Sequence, residues 1–427
     1  MFQMSRRNLL TAALASPLAS QLSGLAAAQQ DGAAGPLDES FWAGIAENYD
    51  VTDAIINVEN GNWGLMARPV LDAYKAHTER VNRENSFFAR RAYWPIYKGI
   101  LEEAASRLGV TPEELAFTRG ATEALQNLIS GYNRLRPGDA VMIADLDYDS
   151  VMHTMRWKAG QVGAGTVEIS IPEPATHDAV VEAYHAALSE HPNTRLLLLT
   201  HVSHRTGLVL PVREICDIAH EQGVDVIVDA AHSWGQLDFR APDLGADFIG
   251  FNLHKWIGAP IGVGAMYIRR GRLESIDPNM SAGPNETDSI HGRVHTGTSN
   301  FAAYMSVPDA FAFQDRMGWP QKAARLSYLR DLWVAPCRPV DGIDILTPDD
   351  DRMHAGMTSF RFGGMTSEEQ NKAIAAFMLE RHRVFTVHRT GVAGGACVRV
   401  TSGYYNSAED MSRAAAAIID ARNHFLG

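Results

Sequence analysis

Residues 248–256 read FIGFNLHKW and are followed by the glycine-rich run GAPIG at residues 258–262. The first residues have the apolar, branched and aromatic character of a buried strand, and polar residues begin where that strand ends. In α/β proteins, ligands bind beyond the carboxyl ends of the strands. The stretch therefore predicts an α/β sheet with one reactive lysine, Lys255, at its edge.

The surrounding chain, from about residue 115 to about residue 268, alternates strand-like apolar runs with helical patterns. This alternation predicts a mostly parallel sheet between helices. Strands are predicted at residues 140–144, 196–200, 224–229, 247–251 and 262–268. The run TPEE at residues 111–114 predicts a helix start, because it combines an N-cap, a first-turn proline and a capping-box acid. Gly223 predicts the end of a helix over residues 213–222.

Beyond about residue 319 the pattern changes to longer helices with strands between them. Helices are predicted over residues 321–333 and 367–381, and strands near residues 358–362 and 397–401. We interpret this change as a large domain at residues 61–318 followed by a smaller α+β domain at residues 319–427. The segment at residues 29–60 is expected to pack on the smaller domain.

The composition is that of a globular protein with one large or two medium domains, since 46% of the 427 residues are hydrophobic and 21% are charged. The formal net charge of −12 argues against a nucleic-acid partner, because binding to phosphate backbones relies on clustered Lys and Arg. We therefore expect a small-molecule substrate. The three cysteines lack Cys-x-x-Cys spacing, so neither a disulfide framework nor a zinc site is predicted. Small buried apolar residues are the favoured interpretation of these cysteines, and one disulfide is the alternative. No catalytic metal is expected.

The N-terminus carries SRRNLL at residues 5–10, followed by a stretch rich in Leu, Ala, Thr and Ser up to Ala28. Two adjacent arginines before such a stretch are typical of a twin-arginine signal with a small-residue cleavage site. The stretch is too short and too interrupted for stable membrane insertion. We expect residues 1–28 to be a signal peptide that the twin-arginine export machinery recognises, and the mature protein to be periplasmic. A frayed tail is the alternative.

A second apolar strand ends in an acid, because residues 226–232 read VIVDAAH. A lone buried carboxylate is costly, but it is favourable beside a protonated pyridine nitrogen. A cap of a helix or turn is the alternative role for Asp229, as a surface charge is for Lys255. Neither residue identifies a site alone, so the prediction depends on their combination with a third motif.

That third motif is FTRGATEA at residues 117–124, a strand that turns through Gly120 into a helix. A helix N-terminus presents free backbone N–H groups and a positive dipole end, and Thr122 adds a hydroxyl. We therefore predict a phosphate cradle at Gly120, Ala121 and Thr122. A lysine amine can form a Schiff base with pyridoxal phosphate, whose ring accepts the electrons released at a substrate Cα.

A phosphate cradle, an acid and a lysine in this order resemble the class V aminotransferase group of fold type I pyridoxal-phosphate enzymes. The resemblance implies an α/β fold with a mostly parallel, seven-stranded sheet between helices and a smaller C-terminal α+β domain. It implies pyridoxal 5′-phosphate as the cofactor and Lys255 as the catalytic residue that holds it. It further implies Asp229 as the partner of the pyridine nitrogen, His232 as the neighbour of the cofactor hydroxyl, and His254 as a cofactor contact beside Lys255.

Two motifs near the C-terminus extend the resemblance. HTGTSN at residues 295–300 is similar to the family's Gly-Thr segment, which implies a homodimer in which Thr298 reaches the phosphate in the neighbouring subunit's site. RVTSGYYN at residues 399–406 resembles a family motif in which the arginine, here Arg399, grips the substrate α-carboxylate as a bidentate fork. A surface salt bridge is the alternative for this arginine. Asn60 is the second predicted substrate contact.

Several positions depart from the family pattern. Tyr148 stands where desulfurases have a histidine stacked on the cofactor ring, and an aromatic face can do the same. His204 replaces an expected Asn as a cofactor contact, and Asn252 replaces a Ser expected to help hold the phosphate. Desulfurases need a nucleophilic cysteine, but residues 388–396 contain none and Cys397 lies in an apolar strand pattern. Cysteine desulfurase activity is therefore rejected.

The resemblance points most closely to isopenicillin N epimerase-like members, and the export signal resembles that of enzymes that tailor the siderophore pyoverdine in the periplasm. We expect an enzyme that acts at Cα of an amino acid or an amino-acid-like, peptidic or siderophore substrate. Aminotransfer and epimerisation share their first steps, so both stay open. A carbon–sulfur lyase is the enzymatic alternative, and a cofactor-binding protein without catalysis is the non-enzymatic one.

Overall fold

The computed structural model describes residues 35–294 and 297–427, and the part from Gly35 to Gly427 forms one compact unit. Its helices are α1 (Glu39–Ala46), α2 (Arg68–Arg91), α3 (Tyr93–Leu108), α4 (Ala121–Gly131), α5 (Asp149–Val162), α6 (His177–Glu190), α7 (Val212–Glu221), α8 (Phe301–Met305), α9 (Val307–Met317), α10 (Trp319–Cys337), α11 (Glu368–His382) and α12 (Ala408–Leu426). The signal peptide expected at residues 1–28 lies outside the described residues.

The strands of the same part are β1 (Ile56–Asn57), β2 (Leu115–Thr118), β3 (Ala140–Ala144), β4 (Gly165–Ile169), β5 (Thr194–Thr200), β6 (Asp225–Ala230), β7 (Phe248–Asn252), β8 (Gly264–Ile268), β9 (Ile343–Ile345), β10 (Met357–Phe362), β11 (Val384–Phe385), β12 (Val387–Arg389) and β13 (Cys397–Thr401). Among the described residues, no helix combines the length and the apolar character that crossing a membrane requires.

The central sheet has seven strands in the order β2-β8-β7-β6-β5-β3-β4. The five neighbouring strands β7, β6, β5, β3 and β4 run parallel to one another. Strand β8 runs antiparallel to both of its neighbours, β7 and β2. The predicted mostly parallel, seven-stranded sheet is therefore confirmed. Because parallel strands end at the same edge, Thr200, Asp229 and Asn252 come together at the carboxyl edge of the sheet.

Helices cover both faces of this sheet because alternate strand residues point in opposite directions. Leu198 and Ile227 pack with residues of α4 and α5 in one hydrophobic cluster. Leu197 and Val228 pack with residues of α6 and α7 in another cluster. The near-continuous apolar runs that predicted these strands are thus explained by burial on both faces.

The five strands predicted in this region are all present, and their ends differ by at most two residues from the prediction. The helix predicted to start at residues 111–114 is wrong. The capping box does form, with the Thr111 N–H donating to Glu114 Oε2 at 3.0 Å, but it serves a single 3₁₀ turn. Strand β2 begins directly afterwards because its four residues are buried and pair with β8.

The C-terminal strands form a separate four-stranded antiparallel sheet in the order β12-β13-β10-β9. Its core includes Trp333 of α10, Phe360 of β10 and Ile418 of α12, as expected for a smaller α+β region. Strand β1 pairs in parallel with β11 of this region. The domain boundaries expected after residues 28, 60 and 318 stay predictions.

Candidate active site

A cavity of about 720 Å³ opens at the carboxyl edge of the central sheet. Its walls come from the ends of β5, β6 and β7, from the N-terminus of α4 and from segments near β1, β12 and β13. Most of the predicted site residues line it, namely Gly120, Ala121, Thr122, Tyr148, His204, Asp229, His232, His254, Lys255 and Arg399. Asn60 and Thr298 are not among the lining residues.

Lys255 follows β7, and its Nζ lies 2.9 Å from Nε2 of His232. Desolvation lowers the pKa of the Lys255 amine to about 7, and it lowers the pKa of the His232 imidazole well below its usual range. His232 is therefore neutral at physiological pH and can accept a proton in a hydrogen bond from the amine. A substantial fraction of the lysine is unprotonated near neutrality, which is the form that attacks a carbonyl carbon.

Close backbone packing fixes the Lys255 segment. The N–H of Gly64 donates to the carbonyl of His254 at 2.9 Å, and a Cβ at Gly64 would overlap the carbonyl oxygen of Lys255. His254 Nδ1 donates to the carbonyl of Val263 at 3.0 Å, and desolvation lowers the pKa of His254 to about 4. His254 is thus a neutral imidazole held in one orientation beside the lysine.

Asp229 ends the apolar run of β6 and is 6% exposed. Its Oδ1 accepts the N–H of Ala231 at 2.9 Å, and the described residues provide no hydrogen-bond donor for Oδ2. Burial raises the pKa of the Asp229 carboxyl, because the lost solvation of the charged form outweighs the stabilisation from the Ala231 N–H and the nearby Lys255 amine. The carboxylate therefore has an open position for a charged N–H group of a ligand.

The N-terminus of α4 comes well before Asp229 and Lys255 in the sequence, but it lines the same cavity. Gly120 is its N-cap, and the Ala121 N–H donates to Oδ1 of Asn252 at 2.7 Å. A Cβ at Gly120 would lie 3.1 Å from that oxygen, so the glycine permits the close approach of helix and strand. Asn252 thus positions the cradle, and exposed Thr122 stands at its rim.

Tyr148 and His204 meet edge to face, with ring centroids 5.2 Å apart and an interplanar angle of 90°. Tyr148 caps the start of α5 and is 41% exposed, so its ring is open to the cavity. Desolvation, with Arg205 and Arg399 nearby, lowers the pKa of His204 well below its usual range. Two of the residues that depart from the family pattern, Tyr148 and His204, therefore form one aromatic pair, in which the imidazole of His204 is neutral.

Arg399 lies on β13 and its side chain is 1% exposed. Its Nη1 donates to the carbonyl of His204 at 2.6 Å, and its Nη2 donates to both carboxylate oxygens of Glu59 at 2.6 and 2.7 Å. Arg389 Nη2 also donates to Glu59 Oε1, at 3.2 Å. The sequence did not identify Glu59 or Arg389, because the contact joins segments more than 300 positions apart and has no local signal.

The other two predicted contacts lie elsewhere. Asn60 donates through Nδ2 to the carbonyl of Thr401 at 2.9 Å, and its Oδ1 accepts the hydroxyl of Tyr405. Both polar atoms of its side chain are therefore engaged within the chain. Thr298 is exposed. Their roles toward the substrate and toward a neighbouring subunit stay predictions.

The cysteines are all buried free thiols. Cys397 Sγ donates to the carbonyl of Arg205 at 3.7 Å, and burial raises the pKa of its thiol to about 11. A thiolate is the reactive form of cysteine, so the unreactive environment predicted for Cys397 is confirmed.

Comparison with solved structures shows which fold this chain has. A cysteine desulfurase from Thermococcus onnurineus NA1 superimposes with a TM-score of 0.77 at 19% identity, over 90% of this chain and 98% of that chain. A C-DES mutant with glycine covalently linked to its pyridoxal-phosphate cofactor gives a TM-score of 0.75 at 22% identity, over 88% and 98% of the two chains. The fold is that of fold type I pyridoxal-phosphate enzymes.

The chain belongs to the aminotransferase class-V family, whose model matches residues 67–414. The isopenicillin N epimerase of Streptomyces clavuligerus is 26% identical over 383 residues, covering 85% of this chain and 94% of that protein. A cysteine desulfurase of Haloferax volcanii is 26% identical over 403 residues, covering 89% of this chain and 92% of that protein. This protein is therefore a class V enzyme that depends on pyridoxal phosphate.

The residues of the cavity fit that cofactor. The open Oδ2 of Asp229 suits the charged N–H of the pyridine ring, and the amine of Lys255 suits the aldehyde carbon. The N-terminus of α4, with Thr122, suits the phosphate. His232 Nδ1 is buried and has no hydrogen-bond partner among the described residues, so a polar ligand beside it would satisfy an atom that is otherwise costly to bury.

Proposed function

We propose that this enzyme acts at Cα of an amino-acid-like substrate, as an aminotransferase or an epimerase. The observation that carries the proposal is the amine of Lys255, which has a pKa lowered to about 7 and lies 2.9 Å from a neutral His232. A base is most effective when its pKa lies near the working pH. Lys255 can therefore take a proton from Cα at neutral pH and return it.

When bound, pyridoxal phosphate supplies an electron sink for the pair that Cα deprotonation releases. Asp229 supports this chemistry by holding a proton on the pyridine nitrogen, because its carboxylate has no other cation at hydrogen-bonding distance among the described residues. The aromatic ring of Tyr148 and the neutral imidazole of His204 line the cavity. Arg399 provides the cationic fork that orients a substrate carboxylate relative to Lys255.

The size of the cavity favours a substrate larger than a free small amino acid. Its volume of about 720 Å³ leaves space beside the cofactor for a peptidic or siderophore-like amine. The Streptomyces clavuligerus relative is named for epimerisation of isopenicillin N, which supports an amino-acid unit within a larger molecule as the substrate class. We propose such a unit as the reacting group here.

The test follows the proton at Cα. The cofactor-loaded enzyme is incubated with amino acids and with peptides bearing a free amino acid unit in deuterated water, and products are analysed by NMR and mass spectrometry. Deuterium at Cα with inversion indicates epimerisation, and a keto acid with an aminated cofactor indicates aminotransfer. Pyruvate and ammonia from a sulfur-containing amino acid would instead support the lyase alternative.

A matched pair of lysine variants controls this experiment. Lys322 is also desolvated, with a pKa lowered to about 7, but it donates to Gln314 and does not line the cavity. Lys255→Met should abolish deuterium incorporation and Lys322→Met should retain it. Equal incorporation in both variants, or none with any substrate in the loaded wild type, would contradict the proposal.

We further propose that residues 1–28 direct export of the folded, cofactor-loaded protein to the periplasm by the twin-arginine route. The adjacent Arg6 and Arg7 support this, together with the need of a cofactor enzyme to load before export. Cell fractionation should find the protein in the periplasm and find the paired variant Arg6→Lys, Arg7→Lys in the cytoplasm. The same distribution for both proteins would contradict this route.

A further inference from the structure

A carboxylate of the same chain already holds the arginine that is expected to bind the substrate. Both carboxylate oxygens of Glu59 accept from Nη2 of Arg399, and the Arg399 Nη1 is taken by the carbonyl of His204. The side chains of Arg399 and Glu59 are 1% and 7% exposed. An incoming carboxylate therefore meets a guanidinium group whose two terminal nitrogens already have acceptors.

The backbone around Glu59 holds it in this position. Glu59 forms an isolated parallel bridge with Thr401, two residues beyond Arg399, and its N–H donates to Oδ1 of Asn57 at 3.0 Å. A Cβ at Gly61 would come within 2.5 Å of Nη2 of Arg399, so the segment lies directly against the guanidinium. Since Gly61 and Arg399 both line the cavity, this ion pair lies at the cavity wall.

A second arginine gives Glu59 an alternative partner. Arg389 Nη2 lies 3.2 Å from Oε1 of Glu59, and Arg389 Nε is buried with no hydrogen-bond partner among the described residues. Burial, with Arg399 nearby, lowers the pKa of Arg389 to about 10, so it remains charged at neutral pH. Two guanidinium cations thus share one carboxylate, and one further anion would balance the charge.

We propose that Glu59 is a specificity-determining residue that serves as an internal carboxylate ligand of Arg399 and moves onto Arg389 when a substrate carboxylate binds. With Glu59 on Arg399 the site takes amines that lack a carboxylate beside the amine. With Glu59 on Arg389 it takes α-amino acid units. This inference rests on the proposed function, since it assigns both classes of amine to the same site.

The test measures binding of propionate, a carboxylate without an amine, to the cofactor-loaded enzyme by titration calorimetry. A charge-assisted pair between buried groups is strong enough that Glu59→Gln should bind propionate at least about tenfold more tightly than the wild type. Adding Arg399→Met should remove that gain. The control is Glu39→Gln. Glu39 also pairs with a buried arginine, Arg325, whose side chain is 1% exposed, but neither residue lines the cavity. Glu39→Gln should therefore leave propionate binding unchanged.

Equal propionate affinity in the wild type and Glu59→Gln would overturn the proposal, as would a gain that survives Arg399→Met. Arg389→Met provides an independent variant. Loss of the alternative partner should weaken propionate binding by several-fold when Glu59 is present and should have less effect in the Glu59→Gln background. An equal effect in both backgrounds would show that Arg389 does not receive Glu59.

A substrate comparison separates specificity from a structural role. The concentration of L-alanine that half-saturates the change in cofactor absorbance should fall in Glu59→Gln. That of ethylamine, which lacks the carboxylate, should not fall, because Glu59 no longer neutralises Arg399. A parallel change for both amines would assign Glu59 a structural role and overturn the proposal. Propionate binding does not depend on proton removal from Cα, so it remains informative if the deuterium experiment fails.

Discussion

Lys255 and His232 form a pair in which desolvation favours the neutral form of both groups. The sequence predicted that both residues contact the cofactor, because their positions after two apolar strands match a family motif. It did not predict their contact at 2.9 Å or the direction of their pKa changes. Those properties depend on how completely the surrounding strands and loops exclude water, which no local pattern of residues specifies.

The pKa of Lys255 makes a prediction about cofactor loading. A lysine amine attacks an aldehyde only when it is unprotonated, so the rate of pyridoxal-phosphate attachment to the cofactor-free protein should rise up to about pH 7 and then level off. Stopped-flow absorbance at constant ionic strength measures this rate. A rate that continues to rise toward the usual lysine pKa of about 10.4 would contradict the lowered value.

Asp229 should limit the stability of the cofactor-free protein. Burial raises the pKa of its carboxyl, so ionisation of this group costs more free energy in the folded state than in the unfolded state. Asp229→Asn should therefore increase the free energy of unfolding of the cofactor-free protein by about 1 kcal/mol. It should also weaken pyridoxal-phosphate binding by about tenfold or more. Urea unfolding and equilibrium titration measure the two effects.

Asp247 is the matched control for this substitution. It is fully buried, but His220 and Arg269 pair with it, and these partners hold the pKa of its carboxyl below its usual range. Its contribution to stability is therefore present at pH 7 and lost as the pH falls below the usual Asp range. Asp247→Asn should destabilise the protein by about 3 kcal/mol. Changes of the same sign in both variants would contradict this account.

At the scale of secondary structure, the sequence predicted those site residues that lie within a single continuous motif at the end of a strand or the start of a helix. Asp229 at the end of β6 and Gly120 before α4 were found in this way. The pairing of Glu59 with Arg399 was missed because short strand β1 and the adjoining bridge give no hydrophobic pattern of useful length. The start of β2 was missed because a valid capping box precedes it and its pairing with β8 decides the local structure.

Gly64 tests how tightly the segment after β1 holds the Lys255 loop. A Cβ at this position would overlap the Lys255 carbonyl, so Gly64→Ala should lower the free energy of unfolding by about 1–3 kcal/mol and slow cofactor attachment. The control is Gly99 in α3, where an added Cβ meets nothing within 4 Å. Gly99→Ala should stabilise the protein by about 0.5–1 kcal/mol. Denaturant unfolding of both variants measures these free energies. A Gly64→Ala variant as stable as the wild type would contradict the packing argument.

At the scale of the whole molecule, the proposed homodimer places Thr298 of one subunit at the cofactor phosphate of the other. Thr298→Ala should then reduce cofactor affinity, and a mixed dimer with Lys255→Ala should contain one fully intact site. Co-expression with two different affinity tags isolates that mixed dimer. Cofactor affinity of the intact site should equal that of the wild type, at one site per dimer. A mixed dimer without any site of wild-type affinity would contradict the shared arrangement.

The central claim is that Lys255 holds pyridoxal phosphate covalently. The direct measurement is the absorbance spectrum of the protein lacking residues 1–28, after loading with the cofactor, beside its Lys255→Ala and Lys322→Ala variants. The account predicts a visible band that borohydride bleaches in the wild type and in Lys322→Ala, and that Lys255→Ala lacks. No such band in the loaded wild type, or the same band in Lys255→Ala, would contradict it.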